Sequence, residues 1–287
     1  MKDIVPSVNF HLWKPCNFRC KFCFATFQDE MSLYSEKSHL SKDEMLQIID
    51  EIVKQKITKI TFVGGEPLLC KWLPDLIRYS KQKGLTTMIV TNGYLLTDEW
   101  LDRQEGNLDW VTLSIDTIDP ERQIQIGRSN GKKIITAAEY KDKIKSIKKR
   151  NIKFKLNTVV CSINVDEDFS DFVKEVSPER WKIFQVLPVE GQNDKHINDF
   201  IISDKDFQNY VERHKLLQSS GIQVVTEDND QMRGSYLMID PQGRLYDNVN
   251  GKHSYSESIL KIGFTEASNQ VEIDKEKFFE RGGSYKW

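Results

Sequence analysis

Three cysteines stand close together in the run CNFRCKFC, where Cys16, Cys20 and Cys23 have the spacing Cys-x3-Cys-x2-Cys. Thiolates at this spacing on one loop can bind three irons of a cubane, whereas a stable cluster normally has four thiolate ligands. The fourth iron is then open to a chelating molecule. S-adenosylmethionine (SAM) offers an amino and a carboxylate group and takes part in radical chemistry with such centres. The residues therefore predict a 4Fe-4S cluster that binds SAM.

A structural zinc site is the alternative use of these cysteines. Zinc favours four closed ligands, and the sequence has no second cysteine cluster and no His-x3–5-His motif. Cys70 and Cys161 stand alone along the chain, so we expect them to be free buried thiols. The cluster is the favoured interpretation, and we expect Phe18, Phe22 and Phe24 to shield it from water.

A second motif, VGGEP, occupies residues 63–67 at the end of a predicted strand. Two glycines, Gly64 and Gly65, allow the backbone to pass close to a ligand. In a barrel, a residue at the carboxyl end of a strand, as Glu66 is here, faces the active mouth. We therefore expect these three residues to contact SAM, together with Asn92 at the end of the next predicted strand.

Short β-type runs alternate with helical patterns from residue 7 to about residue 187, which is typical of βαβ units in a parallel sheet. The clearest helix is predicted over 41–56, because Ser41 and Glu44 form a capping box. Weaker helical patterns cover 72–83, 97–104, 132–150 and 166–176. The predicted strands cover 7–13, 58–64, 86–92, 109–115, 152–160 and 181–187.

Four of these strands carry one polar face each. Parallel strands that are covered on both sides normally read as continuous apolar runs. A doubly wound sheet remains open, but a partial barrel with a polar lumen that holds a ligand explains the pattern better. We therefore predict an α/β fold, a partial (β/α)6 TIM-type barrel. The residues on the polar faces are Lys59, Thr61, Thr112, Ser114, Asp116, Lys153, Lys155, Asn157, Arg180 and Lys182.

The alternation fades after about residue 190. An amphipathic helix is predicted over 204–219, and short strands are predicted over 222–226 and 235–240. We predict two parts, the barrel over 1–190 and a C-terminal α+β extension over 191–287 that closes the substrate site.

The overall charge and the N-terminal segment limit the classes of partner. The net charge of −2 lacks the basic excess of proteins that bind nucleic acid through its phosphates. The segment MKDIVPSVNF has no apolar run of secretory length, and no run approaches a membrane span. We expect a cytoplasmic monomer that binds neither nucleic acid nor a membrane.

The cysteine loop followed by GGEP resembles the radical SAM superfamily. A closer resemblance, to the viperin family of antiviral radical SAM enzymes, runs from residue 8 to residue 287. The resemblance implies a partial (β/α)6 barrel, reductive cleavage of SAM to a 5′-deoxyadenosyl radical, and Ser114 and Arg128 as further SAM contacts. We expect a microbial member without the membrane helix of the animal proteins. The blocks that carry the resemblance include VNFHLWKPCNFRCKFCF, FVGGEP, RWKIFQVLPVEG and RGGSYKW.

The viperin resemblance also implies an activity. Viperins are lyase-type dehydratases that convert a ribonucleoside triphosphate into its 3′-deoxy-3′,4′-didehydro (ddh) analogue, a chain terminator. CTP, UTP and GTP all remain open as the substrate here. The resemblance implies Tyr236 and Lys155 as candidates for proton supply to the departing hydroxyl. It matches nucleotide contacts at Asn9, Lys59, Lys155, Asn157, Arg180, Lys182 and Tyr236.

The predicted polar faces agree with a triphosphate substrate, because such an anion requires several cations converging at close range. A flavodoxin- or ferredoxin-type reductant is implied, since the chain has no cysteines for a second cluster. Two alternatives are a radical SAM enzyme that acts on another substrate, such as a peptide, and a non-enzymatic nucleotide sensor stabilised by a metal. The role of residues 25–40 is open.

Overall fold

The structure, a computed structural model, describes residues 4–29, 39–131 and 133–287. Seven strands lie parallel to one another, and each of the first six pairs with the next strand along the chain. They are β1 (Ser7–His11), β2 (Lys59–Val63), β3 (Thr86–Thr91), β4 (Trp110–Ser114), β5 (Lys153–Val160), β6 (Arg180–Gln185) and β7 (Gln223–Glu227).

Three further strands extend the sheet beyond β1, namely β8 (Met238–Ile239), β9 (Arg244–Asp247) and β10 (Ser254–Ser258). Strand β8 pairs parallel to β1 and antiparallel to β9, and β9 pairs antiparallel to β10. Within the described residues the sheet therefore runs from β10 to β7 without closing. This open, mixed sheet is compatible with the predicted partial barrel and confirms the α/β class.

Helices connect the parallel strands and cover their apolar faces. The first connections contain α1 (Lys42–Lys54), α2 (Leu73–Gln82) and α3 (Asp98–Asp102). The next contain α4 (Pro120–Ile126), α5 (Ala137–Lys149), α6 (Ser170–Val176) and α7 (Asp204–His214). The remaining helices are α8 (Asn229–Met232), α9 (Ile259–Ile262), α10 (Phe264–Asn269) and α11 (Lys275–Glu280).

Helix α1 begins where the capping box predicts. The Ser41 hydroxyl accepts a hydrogen bond from the amide of Glu44 at 3.4 Å, and the Glu44 carboxylate accepts from the amide of Ser41 at 2.8 Å. Both bonds satisfy amides that have no partner inside the helix. The predicted loop over 25–40 lies mostly outside the described residues, since 30–38 are among those not described.

Two helices begin later than predicted. Helix α5 begins at Ala137 rather than at 132, because Thr136 and Glu139 form a second capping box, and residue 132 itself lies outside the described residues. Helix α6 begins at Ser170 rather than at 166, because the Asp168 carboxylate accepts from the amide of Ser170 at 2.9 Å and turns the chain before the helix. Both starts are therefore set by side-chain hydrogen bonds.

Two other helices differ from the sequence patterns. Helix α7 ends at His214, and the predicted continuation to 219 is a 3₁₀ helix over Lys215–Ser220. Helix α4 has no counterpart in the sequence analysis, because its seven residues are too few for a clear apolar period. Asp119 caps its first turn, and Gly127, with φ of 82°, ends it.

The core lies between the sheet and the helices. Alternate strand residues such as Phe10, Phe62 and Phe154 are fully buried against helix residues such as Ile49 and Ile147. Successive side chains on a strand point to opposite faces, so the residues between them face the interior of the partial barrel. This alternation places most of the predicted polar positions around one cavity, whereas Thr112, Lys153 and Arg180 do not line it. Within the described residues, no helix has both the length and the apolar composition required to cross a bilayer.

Candidate active site

A single cavity of about 310 Å³ joins the cysteine loop to the cationic positions of the strands. Cys16, Cys20 and Cys23 follow β1 directly and line one end of the cavity. The amide of Phe18 donates to the Cys16 sulfur at 3.4 Å. Burial raises the pKa of all three thiols, that of Cys20 to about 12. The thiolate form therefore requires a cationic partner such as iron.

The three thiols fit an iron-sulfur cluster better than one metal ion. Within the described part of the chain, no group of three or more His, Cys, Asp or Glu side chains is arranged to hold a metal ion. In a cubane each thiolate binds its own iron, so the sulfurs need not converge on one point. Phe18 and Phe22 are buried beside the loop and Phe24 is 40% exposed, and all three line the cavity. This apolar surface suits a buried cluster.

The loop after α4 holds the cysteine loop in place. The amide of Arg19 donates to the carbonyl of Gly127 at 3.1 Å, and the amide of Lys21 donates to that of Ile126 at 3.0 Å. A Cβ atom on Gly127 would lie 2.1 Å from the carbonyl oxygen of Arg19. Glycine is therefore required at this close approach, which explains the residue before Arg128 in the IGRSNG segment.

The GGEP turn lies against the residues that precede Cys16. The amides of Gly65 and Glu66 donate to the carbonyls of Trp13 and Pro15 at 2.8 and 2.9 Å. A Cβ atom on Gly65 would lie 2.2 Å from the carbonyl oxygen of Pro15. The backbone at Gly65 therefore lies close to the cysteine loop, as the two glycines predict, and a larger residue would not fit at this position.

The buried Glu66 carboxylate ties this turn to the end of β3. It accepts from the Thr91 hydroxyl at 2.6 Å, and from the amides of Asn92 and Leu68 at 2.9 and 3.1 Å. Burial raises the pKa of Glu66 to about 6, although these hydrogen bonds lower it. The Asn92 side chain in turn donates to that of Asn17 at 2.8 Å on the cysteine loop. Three separate segments thus meet where the sequence predicts SAM contacts.

Ser114 and Arg128 line the cavity opposite the GGEP turn. The Arg128 side chain donates to the carboxylate of Asp116, which also accepts from the amide of Val159 at 2.9 Å. Burial lowers the pKa of Arg128, but the charges of Asp116 and Cys20 and the hydrogen bond to Asp116 together outweigh this effect and raise it overall. Arg128 therefore stays charged beside the cysteine thiols. Asp116, which the sequence analysis assigns only to a polar face, is the residue that holds it there.

The residues at this end fit SAM and the cluster together. The cavity wall at this end carries the three thiols. It also carries the closely approaching backbone of Gly65, the buried carboxylate of Glu66 and the charged guanidinium of Arg128. Such a donor set is suited to a ligand with amino and carboxylate groups.

The register of the strands brings the cationic residues together at the other end of the cavity. Lys155 pairs with Arg180, and Asn157 pairs with Lys182, across β5 and β6. Lys59 reaches the same region from β2. Of the cationic positions predicted from the sequence, Lys59, Lys155 and Lys182 line the cavity.

Arg180 lies behind the cavity wall. Its guanidinium stacks on the Tyr285 ring, with 4.2 Å between the guanidinium carbon and the ring centroid, and it donates to the Gly282 carbonyl at 2.6 Å. Its Nε and Nη1 atoms have no hydrogen-bond partner among the described residues. Tyr285, rather than Arg180, lines the cavity. The C-terminal segment thus separates Arg180 from the cavity in this structure.

The predicted polar contacts Asn9, Asn157 and Tyr236 also line the cavity. The Oδ1 atom of Asn157 is buried and has no hydrogen-bond partner among the described residues. The Tyr236 hydroxyl accepts from the Lys182 ammonium at 2.9 Å and donates to the carboxylate of Glu227. Asn157 therefore offers a free acceptor toward a ligand, whereas the Tyr236 proton is already engaged.

Burial and mutual repulsion weaken the protonation of the lysines. Burial lowers the pKa of Lys155 to about 7, and the charges of Arg180 and Arg281 add to this effect. Burial likewise lowers the pKa of Lys59 and Lys182 well below the usual lysine range. A bound polyanion would relieve this repulsion, so the site is suited to a ligand with several negative charges.

Three residues of this region were missed by sequence reasoning as site residues. Arg281 and Tyr285 line the cavity, and Glu227 contacts its wall from behind. Two of them, Arg281 and Tyr285, belong to the closing RGGSYKW block, which is the sequence feature that could have identified them. Glu227 ends a short strand and has no motif around it.

Comparisons with known proteins agree with this site. The Radical SAM superfamily model matches residues 13–176. The chain is 49% identical over 284 residues to an S-adenosylmethionine-dependent nucleotide dehydratase of Lacinutrix mariniflava, covering 99% of this chain and 59% of that protein. A protein of the same name from Flammeovirga pacifica is 46% identical, with 99% of this chain and 97% of that protein covered.

A solved structure supports the fold. Native anSMEcpe with bound AdoMet superposes with a TM-score of 0.69 at 17% identity, covering 98% of this chain and 84% of that one. At this identity the similarity concerns the fold alone.

The chain therefore belongs to the radical SAM superfamily and, within it, to the family of the S-adenosylmethionine-dependent nucleotide dehydratases. This membership confirms the predicted cofactors, a 4Fe-4S cluster and SAM, and the viperin-type resemblance. It sets aside the interpretation as a non-enzymatic sensor.

Proposed function

We propose that this chain is a radical SAM dehydratase that converts a ribonucleoside triphosphate into its 3′-deoxy-3′,4′-didehydro analogue. CTP, UTP and GTP are the candidate substrates. The observation that carries the proposal is the single cavity, with three thiols at one end and Lys59, Lys155, Lys182 and Arg281 at the other. A substrate whose polyphosphate lies among these cations has its ribose toward the thiols. The family membership supports the same chemistry.

Cys16, Cys20 and Cys23 would hold the cluster, and the cavity-lining residues around them would hold SAM. When bound, these two cofactors supply the 5′-deoxyadenosyl radical that removes the ribose 4′-hydrogen. The contribution of the protein is to place that hydrogen within reach and to exclude water. The SAM contacts that we propose are Gly64, Gly65, Glu66, Asn92, Ser114 and Arg128.

The lysines at the far end would fix the substrate by its phosphates. The Lys59 ammonium donates a hydrogen bond to the Tyr285 hydroxyl at 2.8 Å and lies over the rings of Tyr285 and Trp287. Lys182 is held by Tyr236. Charge-assisted hydrogen bonds from such oriented groups set the distance between the polyphosphate and the reacting carbon. Asn9 and Asn157 are the further substrate contacts that we propose, and Arg180 adds positive charge from behind the Tyr285 ring.

Once the 4′-hydrogen is removed, the loss of the 3′-hydroxyl as water requires one proton and one further electron, and the flavodoxin- or ferredoxin-type donor would supply the electron. Lys155 is the better supported of the two candidates, because burial places its pKa at about 7 and it makes no hydrogen bond to a side chain among the described residues. Burial raises the pKa of Tyr236 well above its usual range, and its proton is directed to Glu227. Tyr236 would therefore act on the hydroxyl mainly as an oriented hydrogen-bond partner.

Residues after 190 complete the site. Tyr236, Arg281 and Tyr285 line the cavity opposite the strands. This supports the division into a barrel over 1–190 and an extension over 191–287 that closes the nucleotide site. We also propose that the protein is a cytoplasmic monomer reduced by a flavodoxin- or ferredoxin-type donor, and that its product terminates nucleic-acid synthesis in antiviral defence.

The test is anaerobic reconstitution with iron and sulfide, followed by incubation with SAM, dithionite and each of the four ribonucleoside triphosphates. Mass spectrometry should detect 5′-deoxyadenosine together with a triphosphate that is lighter by one water. Cys20→Ala should abolish both products, whereas Cys161→Ala, which removes a buried thiol away from the cavity, should retain iron and both products. Abundant 5′-deoxyadenosine with every triphosphate intact would contradict the proposal and indicate another substrate, such as a peptide.

A further inference from the structure

One carboxylate stands among the cations of the cavity. Glu227, the last residue of β7, is fully buried and does not itself line the cavity. It contacts three side chains that do line it, namely Lys182, Tyr236 and Arg281. These three come from β6, from the segment before β8 and from the residue after α11.

The three contacts differ in kind and together leave little freedom. The Lys182 ammonium and the Arg281 Nη1 both bond to Oε1 of Glu227, the latter at 3.2 Å, while Oε2 accepts the Tyr236 proton. The Arg281 guanidinium also lies 3.6 Å from the centroid of the Tyr236 ring and donates to the Ser235 carbonyl at 2.8 Å. Lys182 and Arg281 therefore each have some donors fixed by the protein and others left over for a ligand, whereas the single Tyr236 proton is used by Glu227.

The positive charges around Glu227 indicate what its carboxylate does. Lys155 and Arg180 lie on neighbouring strands; Lys155 repels Lys182 and Arg281, and Arg180 repels Arg281. Burial raises the pKa of Glu227, but the charges of Lys182 and Arg281 lower it overall, so the carboxylate is ionised. Without a negative charge at this position, like charges in a low-dielectric cavity would separate and their donors would lose alignment.

We propose that Glu227 is a positioning residue for the polyphosphate, which orients Lys182 and Arg281 toward the anion without contacting it, with the Tyr236 hydroxyl linking Lys182 to the carboxylate. The inference rests on the proposed function in that the anion is taken to be a triphosphate. Glu227 contributes preorganisation of the site, since it aligns the donors before the ligand binds.

The test compares Glu227→Gln with the wild-type chain, using inorganic tripolyphosphate as the probe. The wild type should bind tripolyphosphate, and the variant should bind it about tenfold more weakly. The affinity of the variant should also begin to fall at a lower pH, because Lys182 loses the neighbouring negative charge that raises its pKa. Calorimetric titrations between about pH 6 and pH 9 measure both effects.

The matched control is Asp240→Asn. Asp240 is also fully buried and paired with an arginine, Arg244, at 2.7 Å, but it does not line or contact the cavity wall residues named above. This control should lower the thermal midpoint while leaving tripolyphosphate affinity and its pH profile unchanged. It separates positioning from general loss of stability.

Tripolyphosphate affinity and pH profile equal to wild type in a folded Glu227→Gln chain would overturn the assignment. If that variant does not fold, Glu227→Asp takes its place, since the shorter carboxylate cannot reach all three partners and should weaken binding in the same direction. Wild-type affinity in the aspartate variant would then count against the proposal. Because the probe contains no nucleoside, weaker binding in the variants supports the role of Glu227 even where no nucleotide is turned over. Failure of the wild type to bind tripolyphosphate would overturn the role of Glu227, whereas the product assay described above decides the proposed function.

Discussion

Gly127 and Arg19 are in direct backbone contact, with the amide of Arg19 donating to the carbonyl of Gly127 at 3.1 Å. The contact joins the end of α4 to the middle of the cysteine loop, 108 positions earlier in the chain. A cluster site that depends on three residues of one loop is thus supported by a segment that contributes none of them. Its integrity should be sensitive to substitutions at this contact.

Gly127→Ala should impair cluster assembly although it removes no ligand. The added Cβ would lie 2.1 Å from the Arg19 carbonyl oxygen, and the residue has φ of 82°. Gly131→Ala is the matched control, because Gly131 lies in the same loop with φ of 83° and has no atom within 4 Å of an added Cβ. Iron content and absorbance after anaerobic reconstitution should be low for the first variant and near wild type for the second. Equal iron content in both would refute this role of the contact.

Nucleotide affinity should fall as the pH rises through about 7, because Lys155 has its pKa at about 7 in the ligand-free protein and loses its charge above it. The loss should be about tenfold, or about 1.4 kcal/mol, between pH 6 and pH 8. Lys155→Arg should show a smaller fall over this range, because an arginine stays charged while Lys59 and Lys182, whose pKa values are also lowered by burial, can still titrate. Titration calorimetry of each protein in matched buffers measures the profiles, and a steep fall retained by the arginine variant would assign the effect to another group.

Lys155→Met should stabilise the ligand-free protein while abolishing activity. A buried lysine with a lowered pKa binds its proton more weakly when folded than when unfolded, so its protonation disfavours the native state below its unfolded pKa. Removing it should raise stability by about 1 kcal/mol at pH 6, visible as a rise of a few degrees in the thermal midpoint.

Lys153→Met is the control for this substitution, since Lys153 is on the same strand but lies over the Trp110 ring and does not line the cavity. It should change the thermal midpoint little and should retain product formation. Destabilisation by Lys155→Met to the same extent as in a typical core variant would contradict the electrostatic explanation.

Lys182→Ala should weaken nucleotide use far more than cluster assembly. The substitution removes a cavity-facing cation and leaves the Tyr236 and Glu227 side chains without one partner. Loss of a charge-assisted contact of this kind costs about 1.5 to 3 kcal/mol, which predicts a tenfold to hundredfold higher KM for the triphosphate. Iron content and SAM cleavage without nucleotide should stay close to wild type. A parallel loss of iron would point instead to general unfolding.

Local patterns in the sequence predicted most of what lies along the strands. The alternation of Lys155 and Asn157 with buried neighbours placed both on the cavity face, because side-chain direction in a strand has a period of two. The capping box of Ser41 and Glu44 predicted the start of α1, because its hydrogen bonds are made within four residues. The helix starts near Thr136 and Ser170 were predicted too early, since apolar periodicity reports a buried face and not the first turn.

By itself the sequence determined the class of chemistry: the thiol spacing, the glycine-rich turn and the polar strand faces are properties of neighbouring residues. Tertiary structure alone decided how the cavity is completed. Glu227 lies 54 positions from Arg281, and Thr26 is 166 positions from its hydrogen-bond partner Gln192. It also decided that Arg180 lies behind Tyr285 rather than on the cavity wall. No local period carries such information, because these contacts exist only after the chain has brought distant segments together and excluded water from between them.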